Sequence, residues 1–171
     1  MRTCTRQRPF QKLMPNSNTE LIERFYRAFQ ERDAEGMAAC YAPDIRFQDP
    51  AFGLLHGREV GDMWRMLLGR AADFSLTVDE IRSIGQTASA VVIARYTYSA
   101  TGRPVVNRIE SRFAIRDGFI VEHIDTFDLW RWSRQALGAS GLLLGWTPRM
   151  RATIQKKARR ALGDYRNKAA T

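Results

Sequence analysis

Residues 119 to 130 read Phe119-Ile120-Val121-Glu122-His123-Ile124-Asp125-Thr126-Phe127-Asp128-Leu129-Trp130. Alternating apolar and polar positions mark a strand, with the turn signal Arg116-Asp117-Gly118 in front and an aromatic-rich helical segment behind. Side chains along a strand alternate between faces, which puts Phe119, Val121, His123, Asp125 and Phe127 on one face. That face is mostly apolar, yet it carries a histidine and a carboxylate two positions apart. Burying either costs free energy unless it is paired or used. The pair is therefore the first place to look for chemistry.

Moving outward, Asp117-Gly118 is a hairpin turn, and three strand candidates precede it at 74–84, 88–100 and 104–116. Thr101-Gly102 turns the second into the third. Residues 58–70 read as a helix with Val60, Met63, Trp64, Leu67 and Leu68 as its apolar stripe, and 53–57 read as a loop. Ile45, Phe47 and Asp49 alternate in a short strand ending at Pro50. A short helix fits 34–41, stopped by Pro43. Ser17-Asn18-Thr19-Glu20 matches a capping box ahead of Leu21, Ile22, Phe25, Tyr26 and Phe29 on one helical face. After the opening strand come a helix over 129–137 ending at Gly138, a turn-rich apolar connector over 141–148, and a basic helix over 147–165. The last has Met150, Ile154, Ala158, Ala161, Leu162 and Tyr165 on one side. Helices first and a strand meander later predict an α+β fold, with helices packed on one face of a curved, mostly antiparallel sheet. The open end of such a cone is a natural ligand pocket.

A chain of 171 residues with 44% hydrophobic composition fits one domain with a full core. The expected division is a basic N-terminal tail over 1–18, the domain over 19–138, and a connector with an added C-terminal helix over 139–171. Met14 is an alternative translation start. Cys4 and Cys40 suggest neither a disulfide framework nor a metal motif. Residues 1–18 lack the apolar core of a secretory signal, and Leu142-Leu143-Leu144 is far too short to span a membrane, so a cytoplasmic protein is expected. The net charge of +9 resides in the ends: +4 over 1–18, +7 over 147–171 and −2 between them. This argues against a nucleic-acid surface on the domain itself.

The element order and several motifs resemble the nuclear transport factor 2-like superfamily, and more narrowly the SnoaL-like polyketide cyclases and limonene-epoxide hydrolases. The matching features over about 19–138 are Leu21-Ile22-Glu23-Arg24-Phe25-Tyr26-Arg27-Ala28-Phe29, Phe47-Gln48-Asp49-Pro50, Gly57, Ile115-Arg116-Asp117-Gly118 and Asp125-Thr126-Phe127-Asp128-Leu129. The resemblance implies a cone-shaped domain that commonly pairs as a homodimer through the outer sheet face, where Glu122, Ile124 and Thr126 would lie. Because the fold hosts isomerases, dehydratases, cyclases, hydrolases and binding modules, it does not decide among them. The epoxide hydrolases use an Asp-Arg-Asp set, which implies Asp125 as the base and Arg95 as the bridging arginine. Thr97 stands where their acid would be, and a hydroxyl cannot replace a carboxylic acid at neutral pH.

The candidates are weighed as follows. Asp125 is the first choice for a general base, because a carboxylate facing an apolar cone suits proton abstraction; its bland alternative is a helix cap or an arginine partner. His123 shares that strand face as an acid or base, or as a hydrogen-bonded core histidine. Asp49 orients His123, or is a turn carboxylate before Pro50. Arg95 meets Asp125 if Val91, Ile93, Arg95 and Thr97 face inward; if Val92, Ala94, Tyr96 and Tyr98 do, Arg95 is solvated and the tyrosines line the cavity. Phe47, Trp64, Tyr96, Phe113 and Phe127 are candidate ligand-binding wall residues. His56 reads as a surface residue, and two distant histidines give no case for a metal. No cofactor is expected. The expected partner is a small apolar molecule met by cofactor-free isomerase, cyclase, dehydratase or hydrolase chemistry, or held by a non-catalytic binding or dimerisation module. Lys156-Lys157 and Arg159-Arg160 offer phosphates of nucleic acid or an anionic membrane a second surface, but a helix docked by its apolar side is the favoured reading.

Overall fold

The computed structural model describes residues 17–70 and 73–169. The elements are α1 (Ser17–Gln30), α2 (Ala34–Ala38), β1 (Tyr41–Asp49), β2 (Gly53–His56), α3 (Arg58–Arg70), β3 (Ser75–Ile84), β4 (Thr87–Tyr98), β5 (Arg103–Arg116), β6 (Phe119–Thr126), α4 (Leu129–Leu137), α5 (Ala139–Leu144) and α6 (Pro148–Ala169). One curved, unclosed six-stranded sheet has the order β2-β1-β6-β5-β4-β3. Every neighbouring pair is antiparallel except β1 and β6. The architecture is the α+β arrangement expected from the order of elements.

The core sits between the inner sheet face and the first helices. Leu21, Ile22, Phe25, Tyr26 and Phe29, spaced along one face of α1, are all buried. α3 adds Val60, Met63, Trp64, Met66 and Leu68, while Leu67 remains partly exposed. β4 turns Ala88, Ala90, Val92 and Ala94 inward. β5 turns Val105, Asn107, Ser111, Phe113 and Ile115 inward. The small β4 residues leave room where the sheet curves over the helices. Asp117 and Gly118 join β5 to β6 at φ 53° and 78°, a two-residue turn that needs the left-handed region at both positions.

Four expectations are corrected. The helix foreseen over 34–41 stops at Ala38, because the backbone of the next residues joins the sheet: the Ile120 N–H donates to the Cys40 carbonyl, and Tyr41 opens β1. Residues 53–56, foreseen as loop, form β2 by pairing back onto β1. The connector over 141–148 contains the last residues of the short helix α5. On β6 an extra residue opposite β5, between Ile120 and Glu122, breaks the period of two. Ile120 therefore points inward with His123 and Asp125, and Phe119 lies 45% exposed. The Ser17 side chain and residues 1–16, where a cap and a basic tail were expected, lie outside the described residues.

α6 docks by its apolar side. Leu162 joins the main core, and Ile154 completes a second cluster with Val105, Leu129, Trp132 and Ala136. Arg159 donates to the carbonyls of Phe52 and Leu54, Gln155 to that of Pro50, and Arg166 binds Glu59 and Asp62. No helix among the described residues is long and apolar enough to cross a membrane.

Candidate functional site

A partly enclosed cavity of about 140 Å³ lies between the inner sheet face, α1 and α3. Its wall is chiefly aromatic and aliphatic and includes Phe47, Trp64, Tyr96 and Phe127. Polar groups enter it from Tyr26, Asp49, Ser111, His123 and Asp125.

Strand register explains how they meet. β6 lies between β1 and β5, so His123 has Phe47 beside it on one strand and Phe113 on the other. Ring centroids stand 5.1 Å from Phe47 and 4.4 Å from Phe113. Phe113 is thus buried against the imidazole and is not part of the cavity wall. Counting back from the turn, where Arg116 faces Phe119, would set Ser111 opposite Ile124. The β6 bulge adds one residue and sets Ser111 opposite Asp125 instead. The Ser111 hydroxyl accordingly donates to Asp125 Oδ1 at 2.5 Å.

His123 is only 1% exposed, so both ring nitrogens need partners. Nδ1 lies 2.8 Å from Tyr41 Oη, and Nε2 lies 2.8 Å from Asp125 Oδ1. The indole N–H of Trp64, which can only donate, reaches Tyr41 Oη at 3.1 Å. Tyr41 therefore accepts from Trp64. An ionised carboxylate can only accept, so Nε2 donates to Asp125, and in that neutral tautomer Nδ1 accepts from the Tyr41 hydroxyl. The chain Trp64–Tyr41–His123–Asp125 is directional and ends on the carboxylate. Asp125 is 9% exposed, and both of its hydrogen bonds fall on Oδ1; among the described residues none falls on Oδ2.

Asp49 reaches the same cavity from the end of β1. Its Oδ1 accepts the Phe52 N–H at 2.5 Å, closing the turn from β1 into β2. Burial raises its pKa to about 7, the Phe52 amide opposes that, and the charge of Asp125 adds to it. Asp49 does not hold His123, whose nitrogens are taken by Tyr41 and Asp125; the turn reading applies, with a face left on the cavity. Tyr26 is buried against the same wall, beside Ser111. Burial, then the nearby Asp125 charge, push its pKa well above the ordinary tyrosine value. The neighbouring Ser111 hydroxyl opposes that rise; it donates to Asp125 and keeps lone pairs that can accept from Tyr26.

Arg95 falls outside the site. β4 turns Ala94 and Tyr96 inward, so Arg95 is exposed on the outer face and donates to Thr77. Thr97 shares that face and bonds Asp73 through both its N–H and its hydroxyl. The arginine bridge implied by the epoxide hydrolases is therefore absent at this position. Of the two tyrosines on the inner side, Tyr96 lines the cavity, while Tyr98 packs on Trp132. His56 is exposed. Tyr41, Ser111 and Tyr26 were not singled out from sequence as site residues. Tyr41 was read as helical, and Ser111 becomes visible only through the bulged register. Among the described residues, no three His, Cys, Asp or Glu side chains converge as a metal site.

Comparison with known proteins agrees with this geometry. The family model described as a SnoaL-like domain matches residues 22–123. No curated protein matches the chain. Among solved structures, TsrD from Streptomyces laurentii is 29% identical with a TM-score of 0.62, covering 75% of this chain and 99% of its own. An LEH-like epoxide hydrolase of M. tuberculosis is 21% identical with a TM-score of 0.61, covering 74% and 92%. An NTF2-like protein of unknown function from Burkholderia pseudomallei is 24% identical with a TM-score of 0.61, covering 71% and 98%. The family model spans more than half of the sequence, over a helical layer packed on a curved sheet: the chain belongs to the SnoaL-like family, with the NTF2-like fold.

Proposed function

We propose that the chain is a cofactor-free enzyme that moves a proton on a compact, mostly apolar molecule bearing at least one oxygen: an isomerisation, cyclisation, dehydration or hydration. The observation that carries this reading is Asp125, a nearly buried carboxylate on the wall of an apolar cavity whose hydrogen bonds from Ser111 and His123 both fall on Oδ1. The Tyr26 hydroxyl and Ser111 line the same wall, where Tyr26 can donate to a ligand oxygen. Asp125 is the base, accepting a proton through the oxygen its neighbours leave free. His123, held by Tyr41, is the positioning residue that fixes the Asp125 carboxylate. Asp49, with its pKa about 7, is available near neutrality as the acid that returns a proton.

Asp125→Asn keeps the shape and can still accept from Ser111, but it removes the base. Turnover across a panel of apolar ketones, epoxides and polyketide-like compounds should fall by at least about a hundredfold with folding intact. A variant as active as wild type would sink the assignment. The second reading is a non-catalytic binding module, favoured by the outward placement of Arg95 and Thr97; tight binding of a panel compound without conversion by wild type supports it instead. As a further part of the same reading, two copies pair through the outer face of the sheet.

A further inference from the structure

The face built by α5 and the start of α6 takes no part in the cavity. Leu142, Leu143, Leu144 and Trp146 are 53%, 70%, 52% and 70% exposed. Gly141 and Gly145 are the residues buried against α4, where an added Cβ would meet Ser133. A helix that docks for stability turns its large apolar side chains inward; here the small residues face in and the large ones face water. Trp130 extends the patch: it is 40% exposed and its indole N–H donates to the Leu142 carbonyl at 3.4 Å. Large apolar side chains exposed together in one short segment mark an interaction site.

The adjoining helix supplies charge. At 100° per residue, Arg149, Lys156 and Arg160 share one stripe of α6, opposite the buried side of Ile154 and Leu162. Arg151, Lys157 and Lys168 are exposed as well. Among the described residues none of these six cations pairs with a carboxylate, whereas Arg159 and Arg166 are committed to docking the helix.

We propose that this face is an interfacial anchor for an anionic lipid bilayer. Leu142 to Leu144 and Trp146 enter the boundary between headgroups and acyl chains, and the stripe of Arg149, Lys156 and Arg160 meets the headgroup charge. Nucleic acid would account for the cations but not for three exposed leucines and a tryptophan. A second copy seated on the same face would bring two basic stripes together, which costs free energy. The short α5 permits shallow, reversible seating.

The test is co-sedimentation of the full chain with vesicles of phosphatidylcholine alone, or with about one-third phosphatidylglycerol to supply negative charge. Binding is expected to the anionic vesicles only and should weaken as salt rises. Leu143→Glu combined with Trp146→Glu should abolish it. Arg149→Gln, Lys156→Gln and Arg160→Gln together should weaken it about a hundredfold, at about fivefold per cation. All five side chains are exposed, so thermal melting should report wild-type folding for both variants. No binding to anionic vesicles overturns the proposal. So does salt-sensitive binding to duplex DNA that the leucine–tryptophan variant keeps and the charge variant loses, which assigns the stripe to nucleic acid. Self-association abolished by the leucine–tryptophan variant, with no vesicle binding, assigns the patch to a second copy.

Discussion

Asp49 shows how one side chain serves the fold and the cavity at once. As an acceptor for the Phe52 amide it belongs to the turn, and as a half-buried acid on the cavity wall, under the charge of Asp125, it holds its proton up to about pH 7. The unfolded chain releases that proton near 3.8. Between those values the folded state binds a proton that the unfolded state does not, so stability falls as pH rises. The contribution is complete below about pH 4 and is lost progressively up to about pH 7. Asp49→Asn keeps an acceptor for Phe52 and cannot ionise. The variant should therefore melt several degrees above wild type at pH 8 and converge with it toward pH 4, read as Tm against pH; parallel curves would refute the raised pKa. Comparing the two proteins cancels the exposed carboxylates Glu35, Asp44 and Asp73, whose pKa values are lowered by Arg65, Arg116 and Thr97 respectively.

Among the elements, α4 and α5 show what glycine contributes to packing. Gly138 ends α4 at φ 65°, and Gly141 then brings α5 so close that a Cβ would collide with the Ser133 carbonyl. Gly141→Ala should destabilise by about 1–3 kcal/mol, because backbone cannot move aside as a flexible side chain can. Gly163→Ala on α6, with open space around it, should instead stabilise by about 0.5–1 kcal/mol through helix propensity. Thermal unfolding of the two variants checks both signs, and a neutral Gly141→Ala would mean the α4–α5 contact is loose. The bounds of α3 and α4 were legible from apolar spacing and from Gly138, and β5 from its turns. β2 was not, because four residues carry too little periodicity and its strand character comes from pairing with β1. The site was legible in the same uneven way. His123 and Asp125 stand out as polar residues on an apolar stripe, whereas Ser111 and Tyr41 are ordinary residues until register brings them alongside.

For the molecule as a whole, the sheet has two faces of different character. The inner one is closed by α1 and α3, while the outer one presents Ile124, Val91 and Ile93, partly exposed, among polar neighbours such as Arg112 and Glu110. Pairing of two copies on that face predicts sedimentation at about twice the 19.6 kDa of one chain at micromolar concentration. Ile124→Glu points away from the cavity and should shift the protein to monomer without lowering its Tm. A wild-type monomer would refute the pairing.

The sequence by itself determined the α+β class, the faces of α1 and α3, the hairpin at Asp117-Gly118 and the shared strand face of the polar residues His123 and Asp125, because each rests on local spacing and backbone preference. The tertiary structure decided which face of β4 turns inward, removing Arg95 from the site. It also decided the register that sets Ser111 on Asp125 and the hydrogen bonds that Tyr41 and Asp125 make with His123. These depend on one bulged residue in β6 and on contacts between groups far apart in the chain, and neither the bulge nor those contacts has a period that a sequence can display.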